Sequence, residues 1–200
     1  VFPSSVFLMP EDRKCLQNGK NLMTGSLTDM ITGKRLMRDF FIRDVLLVAP
    51  ELIGKLLVVR DEKGAYGRYI ITETEAYRGD GDEACHASRG RTARTEVMYH
   101  EGGRIYVYFV YGMYWMLNFV TGERDNPQAA LIRGIEGFSG PGKLTRELRI
   151  DKSYYGEDMI SSEKIWVEDA GIRKDFKTGP RIGINYAGET WRNKQWRFFV

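Results

Sequence analysis

Two carboxylates and a group of aromatic residues are concentrated in one quarter of the sequence, between Thr72 and Asn118. Glu73 and Glu75 stand two residues apart in a stretch that alternates like a half-buried strand. A carboxylate beside a reacting bond can accept a proton from water and make that water a nucleophile. Aromatic faces can stack on a flat ring such as a nucleobase. The segment therefore predicts a pocket for a flat ring with a general base beside it. Alternation alone leaves both Glu73 and Glu75 as candidates for that base.

His86 follows these carboxylates across a turn-forming loop and is one of two histidines in the chain. A loop histidine by itself is more often solvated than functional. Together with Asp82, Glu83 and Cys85 it makes a set of zinc-type ligands, but neighbours in sequence rarely close a tetrahedral site. No C-x-x-C or H-x-x-E-H spacing occurs in the sequence. We therefore expect neither a metal ion nor another cofactor.

Tyrosines recur at the end of the same segment. Residues 104–110 alternate, which places Tyr106 and Tyr108 on one face of a strand. Tyr111 and Gly112 form a turn, and residues 113–120 return as the second arm of a hairpin. Strand tyrosines usually pack in the core, and we expect this of Tyr106. Tyr111, at the tip, cannot bury itself in its own sheet and is a candidate wedge for a base stack.

The charge of the chain matters here through its distribution. The sequence has 30 Lys and Arg against 27 Asp and Glu, a formal net charge of +3. Binding to a polyanion would therefore depend on a local cluster of cations. Arg89, Arg91 and Arg94 form such a cluster beside the acidic and aromatic residues. This composition is typical of a solvated basic loop as well as of a phosphate-binding loop, and the neighbouring acidic and aromatic residues favour phosphate contact.

The remaining pattern predicts the elements that position these residues. A strand over 67–77 puts Glu73, Glu75 and Tyr77 on one face. A short amphipathic helix begins at residue 38 and runs into a strand, with Pro50 kinking or bounding the helix and Gly54 ending it. Further strands are predicted over 129–136, 165–168 and 181–186, and a short helix over 141–148. We predict an α+β domain with a curved, mainly antiparallel sheet, flanking helices and a protruding β-hairpin.

Length and composition set the wider limits. A chain of 200 residues is expected to form one domain, here over 37–200, with residues 1–36 as an extension without sustained periodicity. The two cysteines, Cys15 and Cys85, are too few for a secreted disulfide scaffold. No run of 18 apolar residues and no signal-peptide pattern occurs. We expect a soluble, intracellular protein.

Several motifs, in order along the chain, resemble one known family. They are ETEAYRGDGDEACHASRGRT, YVYFVYGMYWMLNFV, QAALIRGIEG, SGPGKLTREL and GPRIGINYAGE. The sequence from about residue 38 onward is similar to the alkyladenine DNA glycosylases, also called 3-methyladenine DNA glycosylases. The resemblance implies a monomeric, base-flipping repair enzyme that acts on damaged purines in double-stranded DNA without a cofactor. It would reside in the cytoplasm with the nucleoid in a bacterium, or in the nucleus of a eukaryote.

The resemblance also implies a role for individual residues. Glu75 would be the general base that activates the attacking water. Arg133 would lie near this water and the DNA backbone, and the main-chain carbonyl of Ile182 would help to hold the water.

The implied base pocket is formed by other residues. Tyr77, His86 and Tyr108 would line it and sandwich the extruded base. Asn118 would stand at its floor, where it disfavours the amino group of normal guanine, and Tyr111 would fill the gap left in the duplex.

The residues themselves leave two other functions open. One is a non-catalytic nucleic-acid-binding domain, although a pure binder gains nothing from a carboxylate that faces phosphates. The other is a carbohydrate hydrolase with Glu73 and Glu75 as its acid pair, although such pairs normally come from different strands. No lysine lies between Glu73 and Asn118, so a Schiff base there is excluded and a monofunctional hydrolase is favoured over a lyase.

Overall fold

A computed structural model describes residues 31–79 and 81–200. The predicted extension over 1–36 lies outside these residues except for 31–36, and Cys15 and Asp80 lie outside them as well. The helices are α1 (Arg38–Phe41), α2 (Val45–Glu51), α3 (Pro141–Glu147) and α4 (Glu189–Arg192). The strands are β1 (Lys34–Arg35), β2 (Leu56–Arg60), β3 (Tyr66–Arg78), β4 (Ile105–Val110), β5 (Tyr114–Thr121), β6 (Gln128–Ile135), β7 (Phe138–Ser139), β8 (Ile165–Asp169), β9 (Lys177–Gly179) and β10 (Arg197–Phe199). Short 3-10 helices cover His86–Arg89, Glu96–Tyr99 and Lys152–Tyr154.

The strands form one open antiparallel sheet in the order β1-β8-β2-β3-β6-β5-β4, with β10 and β9 beside β3 and β7 beside β6. The long strand β3 is central to this arrangement, since it pairs with β2, β6 and β10. The predicted single α+β domain with a mainly antiparallel sheet is confirmed. Among the described residues, no helix is long and apolar enough to cross a membrane.

The main core lies between α1, α2 and α3 and the sheet, where Phe41, Val48, Leu57, Phe119 and Ile132 are fully buried. The predicted helix from residue 38 is found as two helices. Asp44 starts the second one, because its side chain accepts a hydrogen bond of 2.9 Å from the main-chain N–H of Leu46. Pro50 lies in the last turn of α2.

The hairpin of β4 and β5 has the predicted faces. Ile105 and Val107 belong to the main core, whereas Tyr106 and Tyr108 belong to a second apolar cluster on the opposite face. Tyr111 and Gly112 have φ angles of 53° and 66° and are enclosed by a hydrogen bond from the N–H of Met113 to the carbonyl of Val110. Two successive positive φ angles are the pattern of a type I′ hairpin turn.

The prediction of a strand over residues 181–186 is wrong. Ile182, Ile184 and Tyr186 alternate like a strand, but Gly183 has a φ of 81° and the N–H of Ala187 bonds back to the carbonyl of Ile184. The segment therefore turns instead of pairing. The N–H of Ile182 instead donates a hydrogen bond to the side chain of Glu75 on β3.

Candidate active site

A cavity of about 340 Å³ lies on the face of the sheet that carries Tyr106 and Tyr108. Strands β3 to β6, the segment after β9 and the start of α3 supply its walls. Seven of the predicted site residues line it, namely Tyr77, His86, Tyr108, Tyr111, Asn118, Arg133 and Ile182. The sequence motifs that are far apart along the chain are thus brought together around one space.

Glu75 lies directly behind this wall and is fully buried. Its Oε2 accepts a hydrogen bond of 2.8 Å from the hydroxyl of Tyr77, and its Oε1 accepts one of 2.7 Å from the main-chain N–H of Ile182. The Nε of Arg133 lies 3.5 Å from Oε1. All three partners line the cavity, so the carboxylate is held just beneath its surface.

The environment of Glu75 sets its protonation chemistry. Burial raises the pKa of this carboxyl above its usual value, because the charged form loses hydration. The positive charge of Arg133 and the hydrogen bonds from Ile182 and Tyr77 oppose that rise in pKa. A base with a raised pKa accepts a proton more readily, provided that it is ionised at the working pH.

Glu73, the other candidate base, is committed to two ion pairs. Its Oε1 lies 3.1 Å from the Nε of Arg133 and 3.3 Å from Nη1 of Arg197. Glu73 therefore neutralises and orients Arg133, which in turn faces Glu75. This arrangement favours Glu75 as the base and Glu73 as the partner that holds the arginine in place.

Part of the cavity lining is a cluster of aromatic rings. The ring of His86 meets Tyr108 edge to face, with ring centres 4.5 Å apart, and Tyr108 lies 5.3 Å from Tyr106. Tyr106 is buried as predicted, and its hydroxyl also lies 2.9 Å from Nδ1 of His86. Tyr106 thus fixes the orientation of the histidine, a function that its place in an alternating strand does not reveal.

His86 is held in its neutral form. Burial lowers the pKa of its imidazole to about 4, and the nearby Arg94 and Arg89 add to that lowering. Nη2 of Arg94 makes a long contact of 3.5 Å with Nε2. Because a guanidinium has only N–H donors, Nε2 is the acceptor in this contact, and Nδ1 then carries the proton and donates to Tyr106.

Asn118 is buried on β5 at the floor of the cavity. Its Nδ2 donates hydrogen bonds of 3.2 Å to the main-chain carbonyls of Tyr106 and Met116. Both amide hydrogens are therefore used within the hairpin, and the side chain is fixed in one orientation. A rigid group at this depth can exclude a ring substituent that approaches it.

The residues predicted to contact DNA differ in their exposure and in their side-chain partners. Tyr111 is 84% exposed at the hairpin tip, and Arg89 is exposed beside the cavity. Arg91 is paired with Glu96 at 2.6 Å and with Asp125 at 3.0 Å. Arg94 lies over the ring of Tyr108, with its guanidinium carbon 5.2 Å from the ring centre. Of the three arginines, Arg91 would thus have to give up the most ion pairs in order to contact a phosphate.

Three residues at the site escaped sequence reasoning. Arg181 and Asp82 form a fully buried ion pair behind Tyr77, and Tyr186 lines the mouth of the cavity. Asp82 attracted notice only as a zinc-type ligand. No group of three His, Cys, Asp or Glu side chains in the described part of the chain could hold a metal ion. The sequence signal for Arg181 is its position next to Ile182 in the motif GPRIGINYAGE.

Comparison with known proteins identifies the family of the chain. The family model of methylpurine-DNA glycosylase (MPG) matches residues 39–139 and 136–200. Three bacterial relatives carry the name "Putative 3-methyladenine DNA glycosylase". The one from Psychrobacter cryohalolentis is 41% identical over 199 residues, covering 85% of this chain and 92% of the relative. Those from Rickettsia felis and Borreliella burgdorferi are 44% and 42% identical, each over 82% of this chain and over 92% and 94% of their own lengths. The resemblance seen in the sequence is confirmed: the chain belongs to the methylpurine-DNA glycosylase family.

Proposed function

We propose that this protein binds duplex DNA that contains a damaged purine such as 3-methyladenine, turns the damaged base into the cavity and hydrolyses its N-glycosidic bond. The products are the free base and an abasic site. The observation that carries the proposal is Glu75, a buried carboxylate held by three partners at the wall of a tyrosine-lined cavity. The family membership supports DNA as the substrate.

Glu75 is proposed to act as the general base. A carboxylate offers about four acceptor positions, so the contacts with Tyr77, Ile182 and Arg133 leave it able to accept from a water molecule. The water oxygen attacks C1′ of the sugar while its proton passes to Glu75. The electron pair of the C1′–N bond leaves with the base. The negative charge of Glu75 also stabilises the positive charge that develops on the sugar.

The aromatic residues that line the cavity are proposed to recognise the base. Tyr77 and Tyr108, together with His86, are proposed to stack on the faces of the extruded purine. A positively charged alkylated purine gains about 0.5–2 kcal/mol from each electron-rich tyrosine face, whereas a neutral purine gains less. Because such a base is also a good leaving group, selection and reactivity favour the same lesions. The cavity volume of about 340 Å³ lies within the range of about 300–1,000 Å³ that is usual for small-ligand sites.

The same geometry argues against a carbohydrate hydrolase. An acid pair of that kind must flank the scissile bond from opposite sides. Glu73 and Glu75 instead share one guanidinium, with their Oε1 atoms 3.1 Å and 3.5 Å from Nε of Arg133. Two carboxylates that converge on one cation lie on the same side of any substrate.

Base release from defined duplexes tests the proposal directly. Oligonucleotide duplexes that each carry one lesion, for example 7-methylguanine, hypoxanthine or ethenoadenine, are incubated with excess protein, and an undamaged duplex serves as the control. Free base is measured by chromatography, and abasic sites by strand cleavage in alkali. We expect release from at least one damaged duplex without direct strand cleavage. Tight binding with no release from any lesion would favour the non-catalytic DNA-binding alternative.

A further inference from the structure

A fully buried ion pair lies behind Tyr77, one of the residues that line the cavity. Arg181 meets Asp82 through two contacts, with Nη1 2.6 Å from Oδ2 and Nη2 2.8 Å from Oδ1. Nη1 also donates a hydrogen bond of 2.9 Å to the carbonyl of Ala76. This two-pronged geometry requires the planar fork of an arginine, which a lysine cannot reproduce.

The guanidinium held in this way contacts the ring of Tyr77. Its central carbon lies over this ring at 4.7 Å from the ring centre and over the ring of Trp196 at 5.0 Å. Nζ of Lys194 lies 5.7 Å from the centre of the Trp196 ring. Tyr77 lines the cavity whereas Arg181 is buried, so the guanidinium supports the tyrosine from the protein side.

The main chain on either side of Tyr77 is held by Arg181 and Asp82, with Trp196 as a third partner. The N–H of Ala76 donates a hydrogen bond of 2.8 Å to the carbonyl of Trp196. The carbonyl of Ala76 accepts a hydrogen bond from Arg181. The N–H of Arg78 donates to Oδ2 of Asp82 at 3.1 Å. Ring and backbone of Tyr77 are thus both fixed by groups that converge on the Arg181–Asp82 pair.

Stability alone is a poor explanation for such a pair. Removing two charges from water costs several kcal/mol per ion, and well-packed apolar side chains often replace a buried ion pair without loss of stability. Positioning of the Tyr77 ring offers another explanation for the ion pair. Stacking on an extruded base requires the plane of Tyr77 to be defined before the base arrives, and this depends on rigid support.

We propose that Arg181 is a positioning residue for excision: anchored by Asp82, it holds the ring of Tyr77 in the plane on which the extruded base stacks. This inference rests on the proposed glycosylase function and adds a residue to which neither the motifs nor the family resemblance assigned a role. Arg181 itself is buried and does not line the cavity.

Arg181→Lys tests the inference, because it keeps the charge and removes the planar fork. We expect the single-turnover rate of base release to fall on the order of tenfold to a hundredfold, as for other losses of substrate alignment. The affinity for lesion duplex should change less than about twofold, since Arg181 is buried and does not line the cavity. Arg68→Lys is the matched control: Arg68 lies at the other end of β3 and is paired with Glu168 at 3.2 Å. It should lower the melting temperature without changing the rate.

A double-mutant cycle separates positioning from a general loss of structure. In a Tyr77→Leu background, Arg181→Lys should slow release by less than about twofold further, because the ring that it supports is absent. Should Arg181→Lys not fold, Trp196→Leu, which removes the other ring beside the guanidinium, takes its place in the cycle with the same expectation.

The outcomes are distinct for the two hypotheses. Equal rate losses in the wild-type and Tyr77→Leu backgrounds would overturn the positioning role, and so would a folded Arg181→Lys protein with the wild-type rate. If the wild-type protein releases no base from any lesion duplex in the same assay, the glycosylase proposal itself fails and the inference fails with it.

Discussion

The wall around Glu75 and the tip of the β4–β5 hairpin present their side chains in opposite ways. Glu75 is fully buried and has three partners, whereas Tyr111 is 84% exposed and stands at a φ of 53°. A residue that must align with a reacting bond gains from being fixed on all sides. A residue that must enter a large partner has to project from the surface. Under the proposed function, the buried region would carry out the chemistry and the exposed tip would open the duplex, so substitutions in the two regions should have different effects.

Loss of the proposed general base, Glu75, should have the largest effect on excision. Glu75→Gln keeps the size and hydrogen-bonding shape of the side chain but cannot accept a proton. We expect excision to fall on the order of 10²–10⁴-fold, with nearly unchanged binding to lesion duplex. Glu73→Gln is the matched control and should do less, since Glu73 acts through Arg133 and Arg197. Near wild-type turnover by Glu75→Gln in single-turnover assays would remove Glu75 from the mechanism.

A substitution at the hairpin tip should weaken binding to duplex DNA and leave the hydrolysis step unchanged. Stacking of an aromatic side chain on bases contributes about 1–3 kcal/mol, so Tyr111→Ala should weaken binding to lesion duplex by roughly tenfold to a hundredfold. Single-stranded substrate should suffer less, because no base pair has to be opened. Tyr66→Ala, an exposed tyrosine at the start of β3, is the control. Equal losses on single-stranded and duplex DNA would make Tyr111 a packing residue.

The unusual backbone of Tyr111 allows a second measurement at the same position. A left-handed conformation costs a side-chain-bearing residue about 1–2 kcal/mol, and glycine avoids this cost. Tyr111→Gly should therefore leave the free energy of unfolding undiminished in denaturant titrations while it weakens duplex binding as Tyr111→Ala does. A clear fall in stability would mean that the tyrosine ring packs on the hairpin.

A smaller effect is expected at the cavity floor. Asn118→Ser removes a rigid group that is proposed to exclude the amino group of guanine. Release of undamaged guanine should rise by about tenfold or less, and release of alkylated adenine should change little, because relief of a clash helps only the base that met it. Competition assays on the two duplexes measure this ratio. Proportional losses on both would assign Asn118 a structural role in the hairpin.

The smallest effect concerns pH. Glu75 works only when ionised, so excision should decline as the pH falls through its raised pKa, with a midpoint above its usual 4.5. His86, with its pKa lowered to about 4, should stay neutral down to that pH and add no transition near 6.5. The stability that neutral His86 contributes is present above pH 6.5 and is lost as the pH falls toward 4. NMR titration of His86 checks this, and a pKa at or above 6.5 would contradict it.

Alternation in the sequence was enough to predict the two strands that carry most of the site. Glu75 and Tyr77 share a face of β3, and Tyr106 and Tyr108 share a face of β4, because strand geometry repeats every two residues. The resemblance to a family supplied roles that alternation could not, such as a preference for Glu75 over Glu73.

Long-range contacts were beyond sequence reasoning. Asp82 and Arg181 are 99 residues apart, and nothing in their local sequence indicates that they meet. The false strand over 181–186 has a related cause: its alternating apolar residues follow local rules, but a positive φ at Gly183 and the attraction of the Ile182 N–H to Glu75 decide its path. Tertiary hydrogen bonding overrode the local pattern there.

The contact between Glu75 and the N–H of Ile182 also governs when the site can exist during synthesis. Ile182 follows Glu75 by 107 residues, which a ribosome adds in roughly 5–20 s at about 5–20 residues per second. Until then the carboxylate lacks a main-chain partner, and β3 lacks its neighbour β10. A growing chain therefore carries Glu75 and the aromatic residues of β3 and β4 before it carries the segment around Ile182 that completes the cavity. Under the proposed function, we expect base release to become possible only after Ile182 and β10 have left the ribosome.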